Sequence, residues 1–106
     1  MINEKEQVFK TAYSNIEIPP FVFDFYCTIN DIKKIETVES VYLNQSSYKL
    51  EIYVFYEKEN FEVEDKITKL ISDFETTYLY FPEVFIEPLD MIERKELVLP
   101  QSAREV

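Results

Sequence analysis

Polar and apolar positions alternate from residue 48 to 52, and aromatic and β-branched residues, which suit a strand, continue to residue 56. The side chains of one parity would line one face of this strand, namely Tyr48, Leu50, Ile52, Val54 and Tyr56. Residues 38–43 show a shorter strand pattern, and the turn-tolerant residues 44–47 join the two segments. The pattern predicts a β-hairpin, and the absence of glycine favours a loop of about four or five residues over a tighter turn.

After the hairpin, the apolar residues recur at steps of three and four, which is the helical period. Within residues 60–78, the apolar stripe consists of Val63, Ile67, Leu70, Ile71, Phe74 and Tyr78. Asn60 is a suitable cap for the helix start, and acidic residues follow in the first turns, where the helix dipole favours them. Pro82 ends the helical region, and residues 83–87 then form a short strand that stops at Pro88.

These elements predict an α+β fold with a β-β-α-β core over residues 38–87. The main helix has one apolar stripe, so we expect it to pack on one face of a small antiparallel sheet. A ferredoxin-like arrangement is one possible topology, although one helix and three strands do not establish it. The length of 106 residues predicts a single domain over residues 1–106, without a repeat or linker that would indicate a second.

The flanking segments have weaker patterns. Residues 3–12 and residues 29–37 each carry an apolar stripe that predicts a short N-terminal helix. Residues 21–26 fit either a strand or a helix start. Near the other terminus, the apolar residues 97–99 could add an edge segment, and residues 101–106 are expected to form a mobile tail.

The charge balance limits the classes of partner. The net charge is −10, with 21 acidic against 11 basic residues, so the surface repels nucleic acids and anionic membranes and favours a basic protein partner. The first ten residues include acidic and polar side chains, unlike a signal peptide, and no apolar run approaches the roughly 20 residues that span a bilayer. The single cysteine, Cys27, excludes an intrachain disulfide and fits a reducing compartment. We therefore expect a cytoplasmic protein.

The sequence lacks residues that several kinds of catalytic and binding site require. The chain contains no histidine, which is the commonest acid–base side chain and metal ligand, and no glycine, which phosphate-binding loops require. An acidic run comprises Glu57, Glu59, Glu62, Glu64 and Asp65. This run lacks the alternating ligands and the glycine of a calcium loop, and its position matches the charge preference of a helix start.

For each of the other candidate catalytic groups, a structural role explains the residue as well as a catalytic one does. Cys27 has no histidine to activate it, so a buried and inert thiol is expected. Asp24 lies between two phenylalanines, yet an acid in that setting more often points outward or caps a helix. Pairs such as Glu87 with Asp90, or Asp24 with Glu51, could serve glycoside hydrolysis, but 21 acids will pair by chance. We predict no catalytic, cofactor or metal site, and we do not expect an enzyme.

Aromatic residues suggest an interaction surface. Tyr42, Tyr53 and Phe55 should fall on the hairpin face away from the helix, and such residues are enriched at protein interfaces. A single helix does not cover both faces of a sheet, so either residues 21–26 or another chain must cover these aromatics.

The leading functional hypothesis is a small acidic protein that acts through protein–protein contact, chiefly by self-association as a homodimer, with a basic protein as the other candidate partner. The alternative is a small-molecule-binding regulatory domain, with an apolar aromatic pocket between the sheet and its cover. Neither hypothesis requires a cofactor.

We expect the purified protein not to retard DNA or RNA in a gel-shift assay at physiological salt. Binding would need cations that replace the counterions condensed on the phosphates, and this chain has few of them. A known basic nucleic-acid-binding protein serves as the positive control. A retarded complex at micromolar protein would contradict the charge argument.

Overall fold

The computed structural model describes residues 19–46, 48–91 and 99–106. Their elements, in chain order, are α1 Pro20–Lys33, β1 Val38–Gln45, β2 Leu50–Tyr56, α2 Phe61–Tyr78, β3 Glu83–Pro88, a 3-10 helix Leu89–Met91, and β4 Arg104–Glu105. The four strands form one sheet in the order β3-β2-β1-β4. Helices and sheet together confirm the predicted α+β fold. The helix predicted over residues 3–12 and most of the apolar run 97–99 lie outside the described residues.

The sheet is mixed, which corrects the prediction of an antiparallel one. β1 pairs antiparallel with β2 and with β4, whereas β2 and β3 run parallel. Helix α2 carries the chain back to the end at which β2 begins, so β3 starts at that end and runs in the same direction. The ferredoxin-like alternative also fails, because its β-α-β unit is split by another strand, while β2 and β3 are hydrogen-bonded neighbours.

The segment that fitted either a strand or a helix is helical. Helix α1 starts at Pro20, well before the predicted start, and ends at Lys33. Proline is favoured in the first helical turn because its φ angle already suits a helix. The buried residues Phe25, Ile29 and Ile32 lie four and three residues apart, so they form one stripe that faces the core. The main helix therefore shares its face of the sheet with α1.

Helix α2 has the predicted start and a strained end. The Asn60 side chain accepts hydrogen bonds from the backbone N–H groups of Glu62 at 2.9 Å and Val63 at 3.4 Å. At the other end, Leu79 takes the left-handed conformation, with φ 53° and ψ 41°. Glycine usually occupies such a position, and a leucine there costs about 1–2 kcal/mol. A glycine-free chain ends this helix with a residue that strains the backbone.

The loop of the hairpin lies two residues later than the sequence pattern indicates, because β1 extends to Gln45 and β2 starts at Leu50. Tyr48, predicted on the strand, is 96 % exposed in the loop between Gln45 and Leu50. Ser46 closes this loop, because its N–H donates to the Lys49 carbonyl at 2.9 Å and its hydroxyl donates to the same oxygen at 3.0 Å. The four-residue length of the loop agrees with the expectation for a hairpin without glycine.

One face of the sheet, here called the inner face, packs against both helices. The buried residues of this core are Phe25, Ile29, Ile32, Val41, Ile52, Val54, Tyr56, Val63, Ile67, Ile71 and Phe74. Leu70, expected among the most buried, is only half-buried because it lies further from the middle of the α2 stripe than Ile67 and Ile71. The two periodicities of strand and helix thus meet at the inner face as predicted.

The C-terminal segment adds a short fourth strand at the edge of the sheet. Strand β4 pairs with Tyr42 and Leu43 of β1, and the Val106 N–H donates to the Val41 carbonyl at 3.0 Å. The Ser102 hydroxyl donates to the buried Asn44 side chain. This segment supplies partners to backbone groups at the edge of β1 that would otherwise need water.

Within the described residues, no helix is both long enough and apolar enough to cross a membrane.

Replacing Ile67 with alanine should lower the free energy of unfolding by about 2–5 kcal/mol, because it leaves a cavity at the centre of the core. Ile67 is fully buried. Leu70→Ala on the same helix is the matched control and should cost less, since that side chain is half-buried. Urea unfolding of both variants measures the difference, and equal costs would contradict the assigned helix face.

Candidate functional site

The sheet face opposite the helices is here called the aromatic face. In the part of the chain that the structure describes, it carries the aromatic side chains Tyr42, Tyr53, Phe55 and Phe85. Tyr42 pairs with Tyr53 across β1 and β2, and Tyr53 pairs with Phe85 across β2 and β3, so these three form one row. The rings of Tyr53 and Phe85 stack with centroids 4.7 Å apart and planes inclined by 10°. The ring of Phe55 meets that of Tyr42 edge to face at 5.9 Å.

The four side chains differ in how much surface they offer. Phe55 is 4 % exposed, so it contributes little to any contact with another molecule. Tyr42, Tyr53 and Phe85 are half-buried. The predicted interface residues therefore lie together on one face, and Phe85 joins them. Sequence reasoning missed Phe85 because its place in the row depends on the parallel register of β3, although the alternation of residues 83–87 already separates it from Val84.

Residues 21–26 do not cover the aromatic face, since they belong to α1 on the inner face. The Phe21 ring packs edge to face against Tyr80 at 5.2 Å and lies 5.3 Å from the ring of Phe74 in the core. Within the described residues, both helices lie on the inner face, and neither supplies cover for the aromatic row.

Carboxylates surround the aromatic row. The strand registers place four acidic residues on this face, namely Glu51, Glu83, Glu87 and Glu105. Lys49 forms a salt bridge with Glu83, and the Asn44 amide donates to Glu51 at 2.6 Å. The face is therefore an apolar strip with a negative border.

The electrostatics of two tyrosines reflect their surroundings. Burial, followed by the negative charge of Glu51 and a hydrogen bond to it, raises the pKa of Tyr53 above its ordinary value. On the inner face, burial and then a hydrogen bond to Glu64 raise the pKa of Tyr56 to about 12. The Tyr56 hydroxyl donates to the Glu64 carboxylate, so it ties β2 to the first turns of α2. Both hydroxyls remain protonated at neutral pH.

The other acidic candidates serve structural contacts. Asp24, on α1, accepts a hydrogen bond from the Tyr78 hydroxyl at the end of α2. It lies on the inner side of the sheet, whereas Glu51 lies on the aromatic face, so these two acids do not meet. Asp90 accepts a hydrogen bond from the Glu59 N–H at 3.1 Å.

Among the described residues, no group of three or more acidic or cysteine side chains is placed to hold a metal ion. Cys27 is half-buried on α1.

A cavity of about 460 Å³ opens on the inner face, between the first turns of α1 and the end of the hairpin. Leu43, Leu50 and Val106 contribute from the sheet side, and Phe21, Phe25 and Tyr26 contribute from α1. The C-terminal segment adds Ser102 and Arg104. Sequence reasoning missed these last residues because the segment shows no strand pattern, and its position depends on pairing with β1.

Comparison with known proteins gives no relative. No family model, curated protein or solved structure matches the chain.

The raised pKa of Tyr56 predicts a loss of stability at high pH. Above pH 10 the unfolded chain releases the Tyr56 proton, while the folded protein keeps it until about pH 12, so the free energy of unfolding falls across that interval. Tyr56→Phe should be less stable at neutral pH, through the lost hydrogen bond, and should show a smaller fall between pH 10 and 12.

Urea unfolding at neutral pH and across that alkaline interval measures both effects. Tyr48→Phe removes a hydroxyl from a ring that is 96 % exposed, so this control should follow the wild type. An identical alkaline fall in Tyr56→Phe and the wild type would contradict the assignment.

Proposed function

We propose that this protein acts through protein–protein contact and that its aromatic face binds a basic partner. The observation that carries the proposal is the row of Tyr42, Tyr53 and Phe85 with a carboxylate border. Aromatic side chains are the residues that most often dominate the binding free energy at protein interfaces. Tyrosine also offers a large contact area with little loss of conformational freedom.

The border favours a basic partner over a second copy of the chain. Across a two-fold interface, the four carboxylates of one copy would face the same four of the other, with one lysine per copy already paired. A partner with lysine and arginine around an apolar centre would instead meet complementary charge, which speeds association and excludes wrong partners. Self-association through this face is therefore the second candidate.

The proposal predicts that Tyr53→Thr weakens the partner complex by about tenfold or more, as expected for loss of an aromatic contact near the centre of an interface. Threonine keeps a high preference for strands, so the sheet should persist, and circular dichroism checks the fold. Affinity capture from the native lysate identifies the partner, and calorimetry with the purified partner measures the affinity. Tyr48→Thr changes an aromatic in the hairpin loop, away from the row, and should bind normally.

A second pair of variants tests the charge. Glu87→Gln on the aromatic face should slow association and reduce its salt dependence, whereas Glu62→Gln on the exposed side of α2 should have a smaller effect.

A wild-type dimer in light scattering that Tyr53→Thr converts to monomer would contradict the basic partner and assign the face to a second copy. Equal binding by Tyr53→Thr and Tyr48→Thr would contradict any role of the face.

A further inference from the structure

The cavity on the inner face has the size and the lining of a small-molecule site. Its volume of about 460 Å³ falls within the range of about 300–1,000 Å³ that ligand pockets occupy. Apolar side chains line it on two sides: Leu43, Leu50 and Val106 from the sheet and C-terminal segment, and Phe21 and Phe25 from α1. This site is separate from the aromatic face, because it lies on the other side of the sheet.

Two apolar side chains at the rim of the cavity are partly exposed to water. Val22 and Tyr26, one turn apart on α1, line the cavity and are 36 % and 42 % exposed. A ligand that covers them would remove this apolar area from water, which is the main driving force for binding in such a site.

The charge of the lining differs from that of the whole chain. The protein has 21 acidic and 11 basic residues, yet among the described residues no acidic side chain lines the cavity, and the one charged side chain that does is Arg104. The register of β4 pairs Arg104 with Leu43, so both lie on the inner face. Within the described residues, the salt bridge present joins Lys49 to Glu83, and no carboxylate pairs with Arg104. The guanidinium is therefore available to an anion.

We propose that this cavity binds a small amphipathic carboxylate, such as a medium-chain fatty acid. The hydrocarbon tail would lie among the leucines and phenylalanines, and the carboxylate would pair with the Arg104 guanidinium, whose planar fork matches a carboxylate. The Gln45 amide, which also lines the cavity, is a further donor for the head group. A single cation suits a head group with one negative charge.

The C-terminal segment that carries Arg104 is held in position by its own contacts. The Ser102 hydroxyl donates to Asn44, and the Val106 N–H donates to Val41 at 3.0 Å. Asn44 is itself buried and donates to Glu51 at 2.6 Å. These hydrogen bonds therefore connect the C-terminal segment to both β1 and β2. The backbone that carries the guanidinium is thus positioned by its pairing with β1.

The test compares three ligands that share one tail: decanoate, decanol and decyltrimethylammonium. Titration followed by methyl NMR locates the site, since Leu43, Leu50 and Val106 all carry methyl groups in the lining. Decanoate should shift these methyl signals with an affinity that exceeds that of decanol, and the cationic ligand should bind most weakly.

Two variants with the same charge change separate the head-group contact from general electrostatics. Arg104→Gln should weaken decanoate about fivefold, which is the upper range for an exposed ion pair, and should leave decanol unchanged. Lys58→Gln removes an exposed lysine that does not line the cavity, so it should bind decanoate as the wild type does. Leu43→Phe, which fills the cavity, should weaken decanoate and decanol alike.

Three outcomes would overturn the proposal. The first is that none of the three methyl-bearing residues responds to decanoate, or that the responding signals lie elsewhere. The second is that decanol binds as tightly as decanoate, and the third is that Arg104→Gln and Lys58→Gln have equal effects. Partner binding by the aromatic face uses other residues, so either proposal can fail without the other.

Discussion

The burial of the α2 stripe on the sheet determines most of this architecture. Helix α2 connects β2 to β3, and its apolar residues must leave water together with those of the strand that precedes it. The helix therefore lies across one face of the sheet and returns the chain to the start of β2. The parallel direction of β3 and the position of the core both follow from that return. Helix α1 then extends the same layer, because its stripe of Phe25, Ile29 and Ile32 completes the same core.

Because the helices cover only one face of the sheet, the two faces carry different kinds of side chain. On β2, alternate residues belong to opposite faces, so Val54 enters the core while its neighbour Tyr53 joins the aromatic row. Four of the five acidic residues in the described strands lie on the aromatic face, since a carboxylate in the helix-covered core would lose its hydration. The same division gives the aromatic face its negative border and places no acid of the described residues in the lining of the cavity near α1. The difference in charge between the aromatic face and the cavity thus follows from the alternation of side chains along each strand.

The absence of glycine affects how the chain ends its elements. Asn60 starts α2 through side-chain hydrogen bonds, and Ser46 closes the hairpin loop in a similar way. At the end of α2, Leu79 adopts the left-handed conformation despite its β-carbon. The surrounding packing, in which Phe21 contacts Tyr78 and Tyr80 on either side of Leu79, holds the strained residue in position.

Local patterns in the sequence determined the hairpin, the main helix and the residues that face the core. The periods of two and of three to four, the Asn60 cap and Pro82 act over a few residues, so they can be identified without knowing the fold. They also placed Tyr42, Tyr53 and Phe55 on one face. Tertiary structure alone decided the direction of β3, the helical state of residues 21–26 and the pairing of β4 with β1. Each of these depends on contacts between segments distant in the chain, for which no local period exists. Phe85 in the aromatic row and Arg104 in the cavity were found only in the folded chain, for the same reason.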